Sequence, residues 1–266
     1  MKRIPALTSI IILSFVFSSS IEGGYTLINA IPFPQKVQMT TDRLGNAYVL
    51  VENQVLQFDP QGQPKANFSE SSLGVIRTMD ASNPLKVLLF YSDFAKIILL
   101  DSKLSYQSII DLRSILINQP LAVCTSEENG FWVYDREDDL LKKLDMNLQI
   151  IHRSGSLTQR MGYQIQPGVM RQSNGFIYMN NPSTGILVFD RYGEYYKTLP
   201  YTGLTTFQVI GREILFTYNG KLMRVDTKTS EEKEVLLPIR DLIMTARIEQ
   251  NELYLLTTDS LKFYSF

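Results

Sequence analysis

The densest chemistry in this 266-residue chain is the run VYDREDDLL, which sets Asp135, Glu137, Asp138 and Asp139 within five positions. Carboxylate oxygens at that density are candidate ligands for Ca²⁺, which takes six to eight oxygens. The run lacks the Asp-x-Asp-x-Asp-Gly spacing of a calcium loop, and the charges of a hairpin tip serve solubility without any ion. The expectation is a solvated turn, with Ca²⁺ the one cofactor worth testing.

Nucleophilic and general-base chemistry has few carriers here. His152, in QIIHRSG, is the single histidine, and both a base near neutral pH and a nucleophile triad draw first on histidine. Its place after a run of outer-strand type predicts a solvent-facing ring. Cys124, in LAVCTSEEN, is the single cysteine, so it cannot form an internal disulfide. No neighbouring Lys, Arg or His lowers its pKa, and it reads as a small buried hydrophobe. Metal sites built on several His or on Cys are excluded by count. NFS at Asn67 matches the N-glycosylation acceptor in form only. No catalytic residue is assigned. Lys+Arg total 26 against 27 Asp+Glu, so no basic excess marks nucleic acid as a partner.

The elements that must position these residues repeat along the chain. Apolar runs end in Asp at VLQFD (Asp59), IILLD (Asp101), LKKLD (Asp145), LVFD (Asp190) and MRVD (Asp226), and Ser265 holds that place in KFYSF. The spacings are 42, 44, 45, 36 and 39 residues. Upstream of each lies a second run: NAYVLV, KVLLFY, GFWVYD, GFIYMN, EILFTY and ELYLLT. Such short apolar runs between Asn, Gly, Pro and Asp read as strands. DLRSILINQP is expected to be strand and loop, because Pro120 interrupts any helical period. Four strands per repeat of about 40 residues is the signature of a propeller blade. The fold class is therefore all-β, a six-bladed β-propeller in one domain. The sixth repeat has only three strands of its own, so YTLINAI, residues 25–31, is expected to supply the fourth and close the ring. Trp132, on a central strand, is assigned to the core between blades.

The segment MKRIPALTSIIILSFVFSSS places Lys2 and Arg3 before an apolar run from Ala6 to Phe17, followed by Ser18, Ser19 and Ser20. That is the layout of a secretory signal peptide, and its apolar run is shorter than the about 20 residues a membrane span needs. Residues 1–20 are read as signal peptide and 21–266 as the propeller. No Cys lies near the cleavage site to carry a lipid, and no transmembrane segment is expected in the mature chain. The protein is expected to be exported, periplasmic or outer-membrane-associated, and not a lipoprotein.

DRLGNAYVL followed by VLQFDPQGQ, and SNGFIYM followed by ILVFDRYGE, resemble NHL-type repeats of six-bladed, TolB-like propellers. The chain is also similar in general pattern to uncharacterised exported propellers of Bacteroidota-type bacteria. That resemblance implies display of loops at one end of a rigid ring. Among those loops RSGSLTQRMGYQIQPG, residues 153–168, is the longest, and long loops on rigid scaffolds are commonly functional. Arg153, Arg160, Met161 and Tyr163 within it, with Tyr91, Phe94, Tyr201 and Tyr218, are the candidate partner-binding residues. The expected role is a non-catalytic protein-interaction scaffold in a cell-envelope or outer-membrane complex, with a glycan as another ligand to consider. The alternative is a channel-centred small-molecule or glycan binder, or a metal-dependent hydrolase similar to gluconolactonase-type lactonases. Those lactonases hold their metal with Glu, Asn and Asp. The inner-strand runs offer Asp42 and Asp80 but no clear acidic triad.

Overall fold

The structure, a computed structural model, describes residues 24–33 and 37–266; the expected signal peptide lies outside the described residues. Six antiparallel four-stranded sheets make up the described chain. Blade 1 runs Gln38–Thr41, Ala47–Val51, Gln54–Phe58 and Pro64–Ser69 from the axis outward. Blades 2 to 5 repeat the same meander from inner strands Thr78–Asn83, Pro120–Thr125, Met170–Ser173 and Gln208–Ile210. Blade 6 is built from Ile243–Glu249, Glu252–Thr257 and Ser260–Ser265, and its outer strand is Thr26–Pro32. The ring is thus closed by the N-terminal strand, as the missing fourth strand of the last repeat required.

The strands follow from where their faces go. Central strands such as KVLLFY and FWVYD are buried almost throughout. Each is covered on both faces by neighbouring blades, so the apolar run is continuous rather than alternating. Outer strands alternate, as PKANFS does between exposed and half-buried positions. Six apolar clusters fill the six gaps between adjacent blades; Tyr48 and Val55 of blade 1 pack on Met79 and Leu89 of blade 2. Trp132 lies fully buried between blades 3 and 4, and its Nε1 donates to Gln172 Oε1 at 3.0 Å.

The repeated Asp turns out to be a turn cap. In the bend before the outer strand of blades 1 to 4, Asp59, Asp101, Asp145 and Asp190 accept backbone N–H groups two and four residues on, at 2.8–3.0 Å. Such side-chain-to-backbone bonds hold a tight bend without a second strand's help. The bend also needs a left-handed residue: Gly62 and Gly193 supply it at φ 72° and 89°, and Leu104 and Leu148 adopt it at φ 58° and 62°. DLRSILINQP departs from expectation in one respect. Asp111 ends the outer strand and its side chain caps a 3₁₀ turn at Leu112–Ile115.

Candidate functional site

Strand direction alternates within a blade, so the ring has two distinct ends. Turns from the inner to the second strand, and from the third to the outer, lie at one end, here the turn end. Turns between central strands and the crossings between blades lie at the other, the crossing end. The candidate residues divide between these ends and the central channel that joins them.

The acidic run sits at the crossing end, and its carboxylates are engaged by protein donors. Asp135 is buried; it pairs with Lys142 Nζ at 2.9 Å and accepts the Gln119 N–H at 3.0 Å. Asp138 takes the same ammonium at 2.6 Å, and Glu137 accepts from Asn118 Nδ2 at 2.5 Å. Asp139 accepts from Tyr134 Oη, Ser156 Oγ and the Thr158 N–H at 2.6–2.8 Å. These donors hold its carboxyl below the usual range against the opposing effect of burial, which alone would raise it. Glu137 and Asp138 are exposed as a solvated turn should be, whereas Asp135 is not. Among the described residues no three His, Cys, Asp or Glu side chains gather as a metal site.

Residues 153–168 form a fastened strap. Ser156 caps a single helical turn, Leu157–Met161, and Gly162 ends it at φ 78°. Leu157 and Ile165 are buried in the core between blades 3 and 4, with Met161 and Tyr163 packed against them. Tyr163 Oη donates to Thr184 Oγ1 at 3.2 Å. Arg153 and Arg160 are exposed, and the Arg160 guanidinium lies over the Tyr195 ring at 5.7 Å. Phe94 and Tyr218 are also exposed. Tyr201 is half-buried, donating to Glu232 at 2.7 Å and leaning on Phe216. Tyr91 corrects the surface assignment: it is fully buried between blades 1 and 2, because the strand continues apolar to its last residue.

The crossing end also exposes apolar side chains that loop reading missed. Leu116, Leu236 and Leu242 are 80%, 79% and 61% exposed, and Val75 joins them. They follow strand ends or sit in crossings, where a lone leucine carries no periodic signal. His152 lies on the outer strand with its ring edge-on to Tyr192 at 5.4 Å, three strands from the channel. Cys124 is buried in an inner strand, and burial followed by the Asp80 charge raises its thiol well above the ordinary value.

The channel holds the charges that the sequence did not announce. Arg171, on the inner strand of blade 4, donates to the Met79 carbonyl of blade 2 at 2.8 Å and stands 3.8 Å from the buried Asp80. Arg247, on the inner strand of blade 6, donates to the Phe207 carbonyl and to Thr206 Oγ1 of the segment leading into blade 5. Burial and the Arg171 charge depress its basicity. Glu249 accepts from Thr41 Oγ1 at 2.5 Å and Gln208 Nε2 at 2.7 Å, and burial pushes its carboxyl up to about 7. Asp42 and Asp80, the two carboxylates expected near the axis, are satisfied by turn donors and hydroxyls. Asp42 binds Asn46 and Tyr48, and Asp80 binds Ser82 and Thr125. A search for carboxylates therefore points to the wrong side chains. The signal lay in the cations of VIRT, VMRQ and TARI, within inner strands that flank the axis.

No protein-family model matches this chain, and no curated relative matches it. Solved structures do match its shape. A virginiamycin B lyase from Staphylococcus aureus superposes with a TM-score of 0.60 at 10% identity, covering 91% of this chain and 99% of the lyase. BamB from Moraxella catarrhalis gives 0.53 at 10% identity over 92% and 98%. The Pan2 WD40 domain of Neurospora crassa gives 0.58 at 10% identity over 91% and 95%. At such identities the likeness concerns the fold, and the fold is a β-propeller of six four-stranded blades.

Proposed function

We propose that this protein is an exported, non-catalytic propeller of the NHL-repeat, TolB-like kind that serves as a protein-interaction scaffold in a cell-envelope complex of Bacteroidota-type bacteria. One observation carries the reading: the crossing end, where the strap and the blade crossings lie, exposes the large apolar side chains Val75, Phe94, Leu116, Tyr218, Leu236 and Leu242, although the turn end exposes others such as Leu44 and Leu85. Exposed aliphatic and aromatic side chains are the anchors that an interaction face needs. The frame beneath it is rigid, since the strap is capped and anchored by the buried Leu157 and Ile165. Rigid display of aromatic and aliphatic anchors limits the entropy lost on docking. The shared frame does not choose between roles, because a lyase and BamB both use it. What weighs against catalysis is the channel chemistry. The single histidine is on an outer strand, and the axial carboxylates are occupied by protein donors.

The test is an affinity pull-down from gently solubilised envelopes with the native protein, a Leu236→Asp/Leu242→Asp variant and a Leu85→Asp control at the turn end. A stoichiometric envelope protein that is retained by the control and lost with the double variant is the expected result. Equal recovery with all three, or none with the native protein, overturns the assignment.

A further inference from the structure

Arg171 and Arg247 line one cavity of about 300 Å³ that opens at the turn end of the channel. That volume is at the low end for small-molecule pockets. The two residues are only 9% and 3% exposed, and a buried guanidinium usually meets a carboxylate in close contact. Here neither does. Asp80 stands 3.8 Å from Arg171 with its oxygens already accepting from Ser82 and Thr125. Among the described residues, Arg247 makes no ion pair within 4 Å, and its Nε is buried without an acceptor.

A guanidinium offers five N–H donors. Each of these two has only two hydrogen bonds, all to neutral oxygens. The acids on the wall do not compete for them. Glu127 accepts the backbone N–H groups of Asn174 and Gly175 at 2.9 Å, and Glu249 is held by Thr41 and Gln208. Arg43 adds a third, exposed cation at the rim, 4.0 Å from the Glu127 carboxylate. The remaining wall mixes amide and hydroxyl side chains, Ser82, Gln172, Ser173 and Asn174 among them, with the apolar Phe207, Val209 and Ile210. Gln172 Nε2 is a further buried donor without an acceptor among the described residues.

Two guanidinium groups with unspent donors on one cavity suit a planar anion, and the amide and hydroxyl groups of the wall suit a ligand bearing several hydroxyls. We propose that this cavity binds a small hydroxylated carboxylate of the sugar-acid class, its carboxylate between Arg171 and Arg247 and its hydroxyls toward Gln172 and Ser82. The site lies at the opposite end of the ring from the docking face, so either assignment stands or falls without the other.

Calorimetric titration of the purified protein with D-glucuronate, D-glucose and acetate tests the site. D-glucose keeps the ring and lacks the carboxylate; acetate keeps the carboxylate and lacks the hydroxyls. Glucuronate is expected to bind with a Kd of about 1 mM or tighter, and both comparators at least about tenfold more weakly. Arg247→Lys, checked for an unchanged circular dichroism spectrum, should weaken glucuronate about tenfold or more. Arg43→Ala, at an exposed rim position that cannot unfold the core, should weaken it severalfold, and Arg153→Ala on the outer strand not at all. A glucuronate-terminated disaccharide run in parallel tells a glycan end from a free sugar acid. Silence on glucuronate, equal binding of glucose or acetate, or binding indifferent to both Arg247→Lys and Arg43→Ala would overturn the proposal.

Discussion

Thr26 lies directly opposite Ser265, and the antiparallel register runs from that pair to Pro32 opposite Ser260. This single strand pairing turns an open array of blades into a ring. Asn29 adds a side-chain tie from the closing strand to the turn of blade 1, donating to the carbonyls of Gln61 and Gly62 at 3.3 and 3.1 Å. A Cβ on Gly62 would stand 2.8 Å from the Asn29 amide, so the close approach depends on glycine there.

Removal of residues 25–31 is therefore expected to bare the edge of Ser260–Ser265 and to abolish cooperative melting, with aggregation following. Circular dichroism melting of the truncated chain checks this. A sharp transition at the native midpoint would mean that the ring closes without the strand.

Asp135 and Lys142 are both nearly inaccessible, at 1% and 3%, so breaking the pair from one side strands a charge. Lys142→Met should cost about 3–5 kcal/mol, a drop of roughly 10 °C in Tm for a chain of this size. Adding Asp135→Asn to that variant should recover part of the loss, because the stranded charge goes with it. The same run should ignore Ca²⁺, since Asp135, Glu137, Asp138 and Asp139 already have protein donors. A Tm raised by millimolar Ca²⁺, through preferential binding to the folded state, would show instead that an ion displaces those donors.

The length of the strap, residues 153–168, points to a displayed loop, and its attachment is not visible in the sequence. Asp139 Oδ2 accepts from Ser156 Oγ at 2.6 Å and the Thr158 N–H at 2.7 Å, joining a hairpin to a helical turn 17 residues away. Asp139→Ala removes these bonds and places alanine at φ 60°, so a loss of about 1–3 kcal/mol is expected from the unpaired donors. Denaturant titration measures it. Stability within about 0.5 kcal/mol of the native protein would mean that the strap is held by Leu157 and Ile165 alone.

The blades were legible because each rests on local information. An apolar run, a bend and an Asp whose carboxylate caps that bend recur in the first five repeats, and the three-strand final repeat with a spare run at 25–31 announces closure. The channel was not legible for the complementary reason. Its wall takes one to three residues from each of five inner strands, roughly 40 positions or more apart in sequence, and they meet only once the ring has closed. Arg171 and Met79 are far apart in the chain and bonded across the axis. Tyr91 shows the opposite limit: a residue at a run's end reads as a loop anchor, and only packing from blade 1 reveals that it is core.

Glu249 gives the channel a measurable pH dependence. Its carboxyl is raised from 4.5 to about 7, chiefly by burial, with Asp42 adding to the rise while Thr41, Arg247 and Arg43 oppose it. A carboxyl raised on folding means that the native state binds the proton more tightly than the unfolded chain. Stability from this group is therefore greatest below about pH 4.5 and declines as pH rises through 7. The full span amounts to at most about 3 kcal/mol, less what solvent screening removes at this half-buried site. Glu249→Gln, which keeps an acceptor for Thr41 without a charge to desolvate, should flatten that slope. Denaturant midpoints for both proteins at pH 5 and pH 8 decide the matter. If the native protein gains no stability at pH 5 relative to Glu249→Gln, Glu249 is already ionised there, and Arg247 together with the two donors has outweighed its burial.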